Sequence, residues 1–346
     1  MISKEQITAL VQENGFDLHG VVPIGKSTTF TALETWLEKG MNGTMQWMSR
    51  EDTVEKREDP HAILPNAQSV IVLAFNYTPP EIPEELLNDP SRGIIARYAL
   101  YDDYHDIVGD KLKRIGEGIE RAHDGLMDWK AYVDTGPFLE REWAQRAGLG
   151  FIGKNSNLIN YQVGSYLFLA EILVSIPLPT MKKEENGGCA RCTNCITGCP
   201  TNAIVADKTV DARKCISYMT IEHKGEIPEW MRPLMKNRIY GCDICQEVCP
   251  WNQRKQDAVE KSDFLVRADL VAPKLESLLF FDDESFREKF TKSPIKRAKR
   301  EGFMRNVSVA LGNWKYADAM RLLEEIIEKD PSELVQEHAR WGLRQQ

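Results

Sequence analysis

Eight cysteines carry the most specific chemistry in this chain, and all of them fall between Cys189 and Cys249. Cys189, Cys192, Cys195 and Cys199 stand as C-x2-C-x2-C-x3-C, followed by Pro200. Cys242, Cys245 and Cys249 stand as C-x2-C-x3-C, followed by Pro250, and Cys215 lies between the two runs. In such a run three thiolates on one tight loop cap three corners of an iron–sulfur cubane, while the Cys-Pro turn sends the fourth to another cluster. That rule assigns Cys189, Cys192, Cys195 and Cys249 to one [4Fe–4S] cluster. It assigns Cys199, Cys215, Cys242 and Cys245 to a second, with Cys215 standing in for the cysteine missing from the second run. Crossed ligation brings the clusters close enough to pass electrons in sequence. The competing metal is zinc in two four-thiolate sites. Zinc uses paired C-x2-C knuckles and requires neither three cysteines at successive three-residue steps nor a following proline.

The rest of the chain must position these ligands and give them a purpose. It has 346 residues, 42% hydrophobic and 28% charged, an ordinary globular balance with room for two or three domains. The formal net charge of −8 excludes a whole-protein attraction for polyanions, so any nucleic-acid contact needs a local basic patch. The first residues lack an apolar signal core and read as an amphipathic helix with Ile7, Leu10 and Val11 on one face. No run approaches the roughly 18 apolar residues of a membrane span. A cytoplasmic protein with no membrane partner is expected, and in a reducing compartment its cysteines are metal ligands rather than disulfides.

The cysteines divide the chain into residues 1–178, 179–262 and 263–346. The first part has strand-like apolar runs at Ser69 to Phe75, Lys130 to Val133 and Tyr166 to Val174. Helical patterns lie between them, at Asp106 to His123 and Phe138 to Ala147. This alternation predicts an α/β or α+β domain without fixing whether the sheet is parallel or mixed. There is no GxGxxG followed by a helix and no P-loop. A polar cluster does stand out: Val133-Asp-Thr-Gly-Pro137, Glu140-Arg-Glu142 and Gly148-Leu-Gly-Phe-Ile-Gly-Lys-Asn155. Asp134 follows a strand and precedes a Gly-Pro turn, which is a ligand-binding position in many sheets and equally a turn cap. The third part is polar and helical by period. Arg305 to Gly312 and Glu337 to Arg344 echo one another, as in a HEAT-type hairpin repeat or as two ordinary amphipathic helices.

Two clusters alone would make an electron carrier of a few dozen residues. Here the cluster band is a minor part of the chain. The cysteines leave open a ferredoxin-like module of a larger complex and an enzyme whose clusters feed a second cofactor.

The motifs taken together resemble the epoxyqueuosine reductases, cobalamin-dependent iron–sulfur enzymes of queuosine tRNA modification. The matching segments are Arg97-Tyr-Ala-Leu-Tyr-Asp-Asp-Tyr-His105, Val133-Asp-Thr-Gly-Pro137, Arg146-Ala-Gly-Leu-Gly-Phe-Ile-Gly-Lys-Asn155, the eight cysteines, and Cys215-Ile-Ser-Tyr-Met-Thr-Ile-Glu222. Phe151 departs from the tryptophan expected in many relatives but keeps an aromatic ring there. The resemblance implies an N-terminal cobalamin-binding domain, a ferredoxin-like domain with two [4Fe–4S] clusters, and a C-terminal HEAT-like helical domain for tRNA. It implies a base-off corrinoid, reduced by the clusters, that acts on epoxyqueuosine at the wobble position of tRNA. Asp134 would be the proton donor, with a pKa raised by burial.

Arg57, Arg97, Lys154, Asn155, Ser156, Asn157, Ser217 and Asp243 are the corrinoid neighbours that the resemblance implies, together with Asp134. None of the six histidines sits in an Asp-x-His-x-x-Gly corrinoid-ligand motif, and His105 is expected to form structure or bind substrate. With a tRNA substrate implied, the basic stretch Lys292, Lys296, Arg297, Lys299, Arg300 and Arg305 is expected to meet phosphates, with Lys224, Lys236 and Arg238 beside the cluster loops. The implied partners are tRNAs with GUN anticodons, for aspartate, asparagine, histidine and tyrosine, and an electron donor such as a flavodoxin or ferredoxin. A monomer is expected. The competing readings are a reductive-dehalogenase-like corrinoid enzyme for a small molecule and a non-catalytic electron-transfer protein.

Overall fold

The computed structural model describes residues 2–79, 81–182, 187–254, 261 and 264–346. The boundary expected between 262 and 263 lies outside the described residues.

Four strands form the sheet that organises the first part: β1 (Leu18–Pro23), β2 (Ser69–Asn76), β3 (Trp129–Val133) and β4 (Leu167–Val174). Their order is β1-β2-β4-β3, and every pairing is antiparallel. The sheet is thus neither of the two expected alternatives, parallel or mixed, but wholly antiparallel, which makes this part α+β. All eight residues of β2 are buried, because helices cover both faces. Side chains alternate across a strand. Ile71, Leu73 and Phe75 therefore enter the core under α1 (Lys4–Glu13), while Val70, Val72 and Ala74 enter a second core on the other face.

Further along the chain, α2 (Phe30–Glu38) and α3 (Glu51–Glu58) precede β2, and α4 (Tyr104–His123) precedes β3. On α4, Val108, Leu112, Ile115 and Ile119 are buried at helical spacing, which fixes its face against the sheet. Its N-cap is Asp103, whose carboxylate accepts from the His105 backbone N–H at 3.2 Å. The loop after β3 leads into α5 (Glu140–Arg146), whose Trp143 and Ala144 fill the second core. Buried Glu142 ties the loop before α2 to α5. It accepts from the Thr28 backbone at 2.7 Å, from the Thr29 hydroxyl at 2.6 Å, and from Ser27.

The cysteine band includes α6 (Ile216–Ile221), and the chain ends in α7 (Lys299–Asn313), α8 (Ala317–Lys329) and α9 (Glu333–Leu343). The two echoing segments lie on α7 and α9. These helices cross where a Cβ on Gly312 would come within 2.6 Å of the Gly342 Cα, so glycine is required there. Packing runs across the sequence divisions. The main core joins Phe75 and Phe168 to Phe264, Leu275 and Phe303. Residues 238–240 pair in parallel with Ile94–Ile95, and Trp36 of α2 donates to the Val210 carbonyl at 2.7 Å. Among the described residues no helix is long and apolar enough to cross a membrane.

Candidate active site

The cysteines gather into two sets. Cys195 feels Cys189, Cys192 and Cys249, and Cys249 feels Cys189 and Cys192. Cys215 neighbours Cys199 and Cys242, and Cys245 neighbours Cys215 and Cys242. Cys245 also feels Cys195, so the two groups adjoin, and the spacing-based assignment to crossed clusters remains an expectation. Backbone N–H groups of Lys154 and Ala203 point at the Cys189 and Cys199 sulfurs at 3.4 and 3.3 Å, contacts that suit cluster thiolates. The donor set fits two cubanes.

A cavity of about 670 Å³ separates the N-terminal half from the cysteine band. Cys199, Cys215, Cys242 and Cys245 form one wall. Trp36, Trp47, Phe138, Leu139 and Ile152 supply broad apolar surface, and Arg57, Asn155, Ser156, Asn157, Ser217 and Asp243 supply polar groups. Apolar walls for a ring and amide partners for its periphery fit a corrinoid. Arg97 and Lys154 lie beside this wall, next in the chain to the lining residues Ala96, Tyr98 and Asn155. Arg97 acts from behind: its backbone N–H donates to Asp243 Oδ2 at 2.6 Å, and its guanidinium lies 3.6 Å from Glu247. Lys154 faces Asp207 at 3.6 Å.

A second cavity, about 810 Å³, adjoins the first. The two share Trp47, Arg57, Tyr98, Asp134 and Gly136. Arg50, Lys56, Arg57, Lys130, Lys296 and Arg297 line the second cavity, so cations from three separated stretches surround one opening. Arg50, Lys56 and Lys130 were not singled out from sequence, because no local run marks them.

Asp134 stands at the junction with φ +58°, the left-handed region. Its backbone N–H donates to Glu140 Oε1 at 2.6 Å. Its Oδ2 accepts from the Tyr104 hydroxyl at 2.8 Å and meets His105 Nε2 at 3.3 Å. His105 Nδ1 lies 2.7 Å from Asp103, whose other oxygen meets Lys296 at 2.8 Å. Asp134 faces the cavity yet lies deep in the cleft. Burial works to raise its pKa, but the hydrogen bonds from His105 and Tyr104 outweigh it and hold the carboxyl below its usual range. In the protein alone the carboxyl thus sits low, whereas the resemblance implies a raised pKa from burial against the corrin. Burial works against a charge on His105 as well, but its bonds to Asp103 and Asp134 push it up to about 9. Burial and the Asp134 charge push Glu140 up to about 8. His105, expected only to form structure or bind substrate, is thus the charged partner of Asp134.

The basic stretch divides in two. Lys296 and Arg297 reach the cation-lined cavity, paired with Asp103 and Glu222. Lys236, Lys292 and Lys299 are exposed. Arg300 and Arg305 are not available to phosphates, which corrects their expected role. Arg300 is buried against Asp330 and the Phe281 carbonyl. Arg305 is 0% exposed and donates to the carbonyls of Met219, His223 and Gly225, clamping the cysteine band onto α7. Arg238 is also turned inward, toward Glu247. The Lys224 ammonium donates to the carbonyls of Ile221 and Arg297.

Comparison with known proteins follows the same division. Residues 188–252 match the 4Fe-4S double cluster binding domain, and residues 57–135 match the family described as Epoxyqueuosine reductase QueG, DUF1730. The epoxyqueuosine reductase of Vibrio cholerae is 42% identical over 343 residues, covering 99% of this chain and 91% of that protein. Among solved structures, epoxyqueuosine reductase from Streptococcus thermophilus superposes with a TM-score of 0.89 at 31% identity, covering 99% of this chain and 90% of that one. A crystal structure of epoxyqueuosine reductase with an epoxyqueuosine-modified tRNA-Tyr stem loop gives 0.89 at 30% identity, covering 99% and 89%.

Proposed function

The chain belongs to the epoxyqueuosine reductase family, and from that premise we propose how its own residues reduce epoxyqueuosine to queuosine in tRNA. It is an oxidoreductase with a domain for two [4Fe–4S] clusters. The reaction breaks both C–O bonds of the epoxide, forms a C=C bond, and releases the oxygen as water, consuming two electrons and two protons.

In the proposed division of labour, residues 1–178 bind a base-off cobalamin, 179–262 carry the clusters, and 263–346 contact tRNA. Helices α7–α9 would be one and a half HEAT-type hairpins. Arg57, Asn155, Ser156, Asn157, Ser217 and Asp243 would hold the corrinoid, with Arg97 and Lys154 supporting them from outside the wall. When bound, the corrinoid supplies a low-valent metal that reduces the strained epoxide. The chain's residues do the rest. The apolar walls exclude water. The cations of the second cavity, with exposed Lys236, Lys292 and Lys299 outside it, attract the anticodon phosphates and admit a flipped wobble base. Asp134 meets the departing oxygen, and the His105 imidazolium behind it supplies the proton that an ionised Asp134 lacks.

The observation that carries this reading is the position of Asp134. It stands on the one wall common to the thiolate-lined and cation-lined cavities. The test is anaerobic incubation of the cluster-loaded protein with cobalamin, a low-potential reductant and epoxyqueuosine-containing tRNA, followed by nucleoside mass analysis. Loss of one oxygen from the nucleoside is expected. Unchanged epoxyqueuosine in the presence of loaded clusters and bound cobalamin would refute it.

A further inference from the structure

The proposed reaction consumes two protons, and His105 accounts for one. Behind Asp134 lies a third cavity, about 270 Å³, whose lining includes Tyr104, Asp134, Glu140, Arg141, Asn157 and Ser165. It has room for several waters, each needing roughly 30 Å³ and two to four polar partners. Glu140 opens both onto this chamber and onto the thiolate-lined cavity, and its Oε1 already holds the Asp134 backbone at 2.6 Å.

We propose that Glu140 holds the second proton and passes it to Asp134 through this chamber. The inference rests on the epoxide-reduction reading. Glu140 acts through Asp134 and not on the substrate, so it is a positioning residue for the proton supply.

The surroundings of Glu140 support a neutral acid. Asp134 faces it from the loop after β3, and Glu171 faces the same two carboxyls from β4. Glu171 is fully buried, and neither of its carboxyl oxygens has a hydrogen-bond partner among the described residues. Against these stand Arg141 on α5, His105 on α4 and Arg57 on α3. Tyr104 adds a neutral hydroxyl, already given to Asp134. Three carboxyls facing one another, one of them fully buried, cannot all ionise cheaply. Asp134 takes the charge because it alone has hydrogen bonds from both Tyr104 and His105. Glu140 therefore keeps its proton at neutral pH, in line with its upward shift to about 8. The site then stores two protons, on His105 and Glu140, around one ionised relay. Those are the two that convert an epoxide oxygen to water, while a one-electron carrier protein supplies the two electrons in two steps.

The test is Glu140→Gln, which keeps an acceptor for the Asp134 N–H but has no proton to give. On the full, cluster-loaded chain without substrate, difference infrared spectroscopy should show a protonated-carboxyl band that disappears with a midpoint near pH 8 in wild type. In Asp134→Asn the band should remain with its midpoint moved down, because the Asp134 charge is part of what holds Glu140 up, and it should be missing in Glu140→Gln. In steady-state turnover of the cobalamin-loaded enzyme, Glu140→Gln should fall about tenfold or more and move the alkaline limb from near 8 toward 9. If Glu140→Gln retains the infrared transition, or loses it with rate and alkaline limb unchanged, the proposal is overturned. Wild-type protein that titrates as stated but never reduces the epoxide would refute the proposed function and leave the proton store established. If Glu140→Gln does not fold, Glu140→Asp and Glu171→Gln assign the band: it should shift in frequency in the first and remain in the second, and the reverse overturns the proposal.

Discussion

His105 Nε2 lies 3.3 Å from Asp134 Oδ2, while its Nδ1 lies 2.7 Å from Asp103. An imidazole held between two carboxylates is charged at neutral pH, and it faces the cleft through Asp134. On the proposed reading the pair delivers one of the two protons, and each member can be removed separately.

Asp134→Asn should retain both clusters and bound cobalamin while losing turnover by about 10²–10⁴-fold, the usual contribution of a positioned acid. His105→Gln should lose a comparable share. Single-turnover mass analysis of the nucleoside measures both, and a wild-type rate in Asp134→Asn would remove the residue from the chemistry.

The His105 pair also has a stability signature. Its folded pKa, about 9, lies above the reference of roughly 6.5. The charged imidazole therefore stabilises the fold fully below about pH 6.5, and the contribution is lost as pH rises through about 9. Thermal unfolding of wild type and His105→Gln should differ most at low pH within this window and converge above it. An equal gap at both ends would mean that the ring carries no charge.

Each cysteine set should fail separately. Cys192→Ala should impair the set with Cys189, Cys195 and Cys249, and Cys215→Ala the set that walls the cavity. Iron should drop from about eight to about four per chain in either case, at four per cubane. Zinc in place of iron, or loss of both clusters from either variant, would contradict the crossed assignment.

Arg305→Ala should unfold the protein more readily without altering its electrostatics toward tRNA. Three backbone carbonyls lose a buried charged donor, which destabilises by about 3 kcal/mol or more. Reversing Lys56, Lys292 and Lys299 should instead leave folding intact. It should flatten the dependence of log affinity on log salt by about 0.7–0.9 for each phosphate that is no longer neutralised. Binding of labelled tRNA across salt concentrations separates the two, and an unchanged slope would exclude these lysines.

The cysteine sets were legible because their geometry is local: three-residue steps put thiolates on one loop, and a proline fixes where the next one points. The apolar runs of β2 and β4 were legible for a similar reason, since burial on both faces leaves few polar residues to interrupt them, whereas the edge strand β3 buries only Val133. What sequence could not supply was convergence. Arg50, Lys56 and Lys130 become one rim with Lys296 and Arg297 only when α3, β3 and the turn before α7 meet. Arg305 sits in a basic run yet is buried, because its neighbours along the helix say nothing of the carbonyls waiting at Met219, His223 and Gly225. The protonation of Asp134 was likewise beyond a linear reading. Burial alone predicts a raised pKa, and only the fold places Tyr104 and His105 on the same oxygen to reverse it. Ligand type follows from spacing along the chain, whereas charge state follows from whatever side chains the folded chain brings within hydrogen-bonding distance.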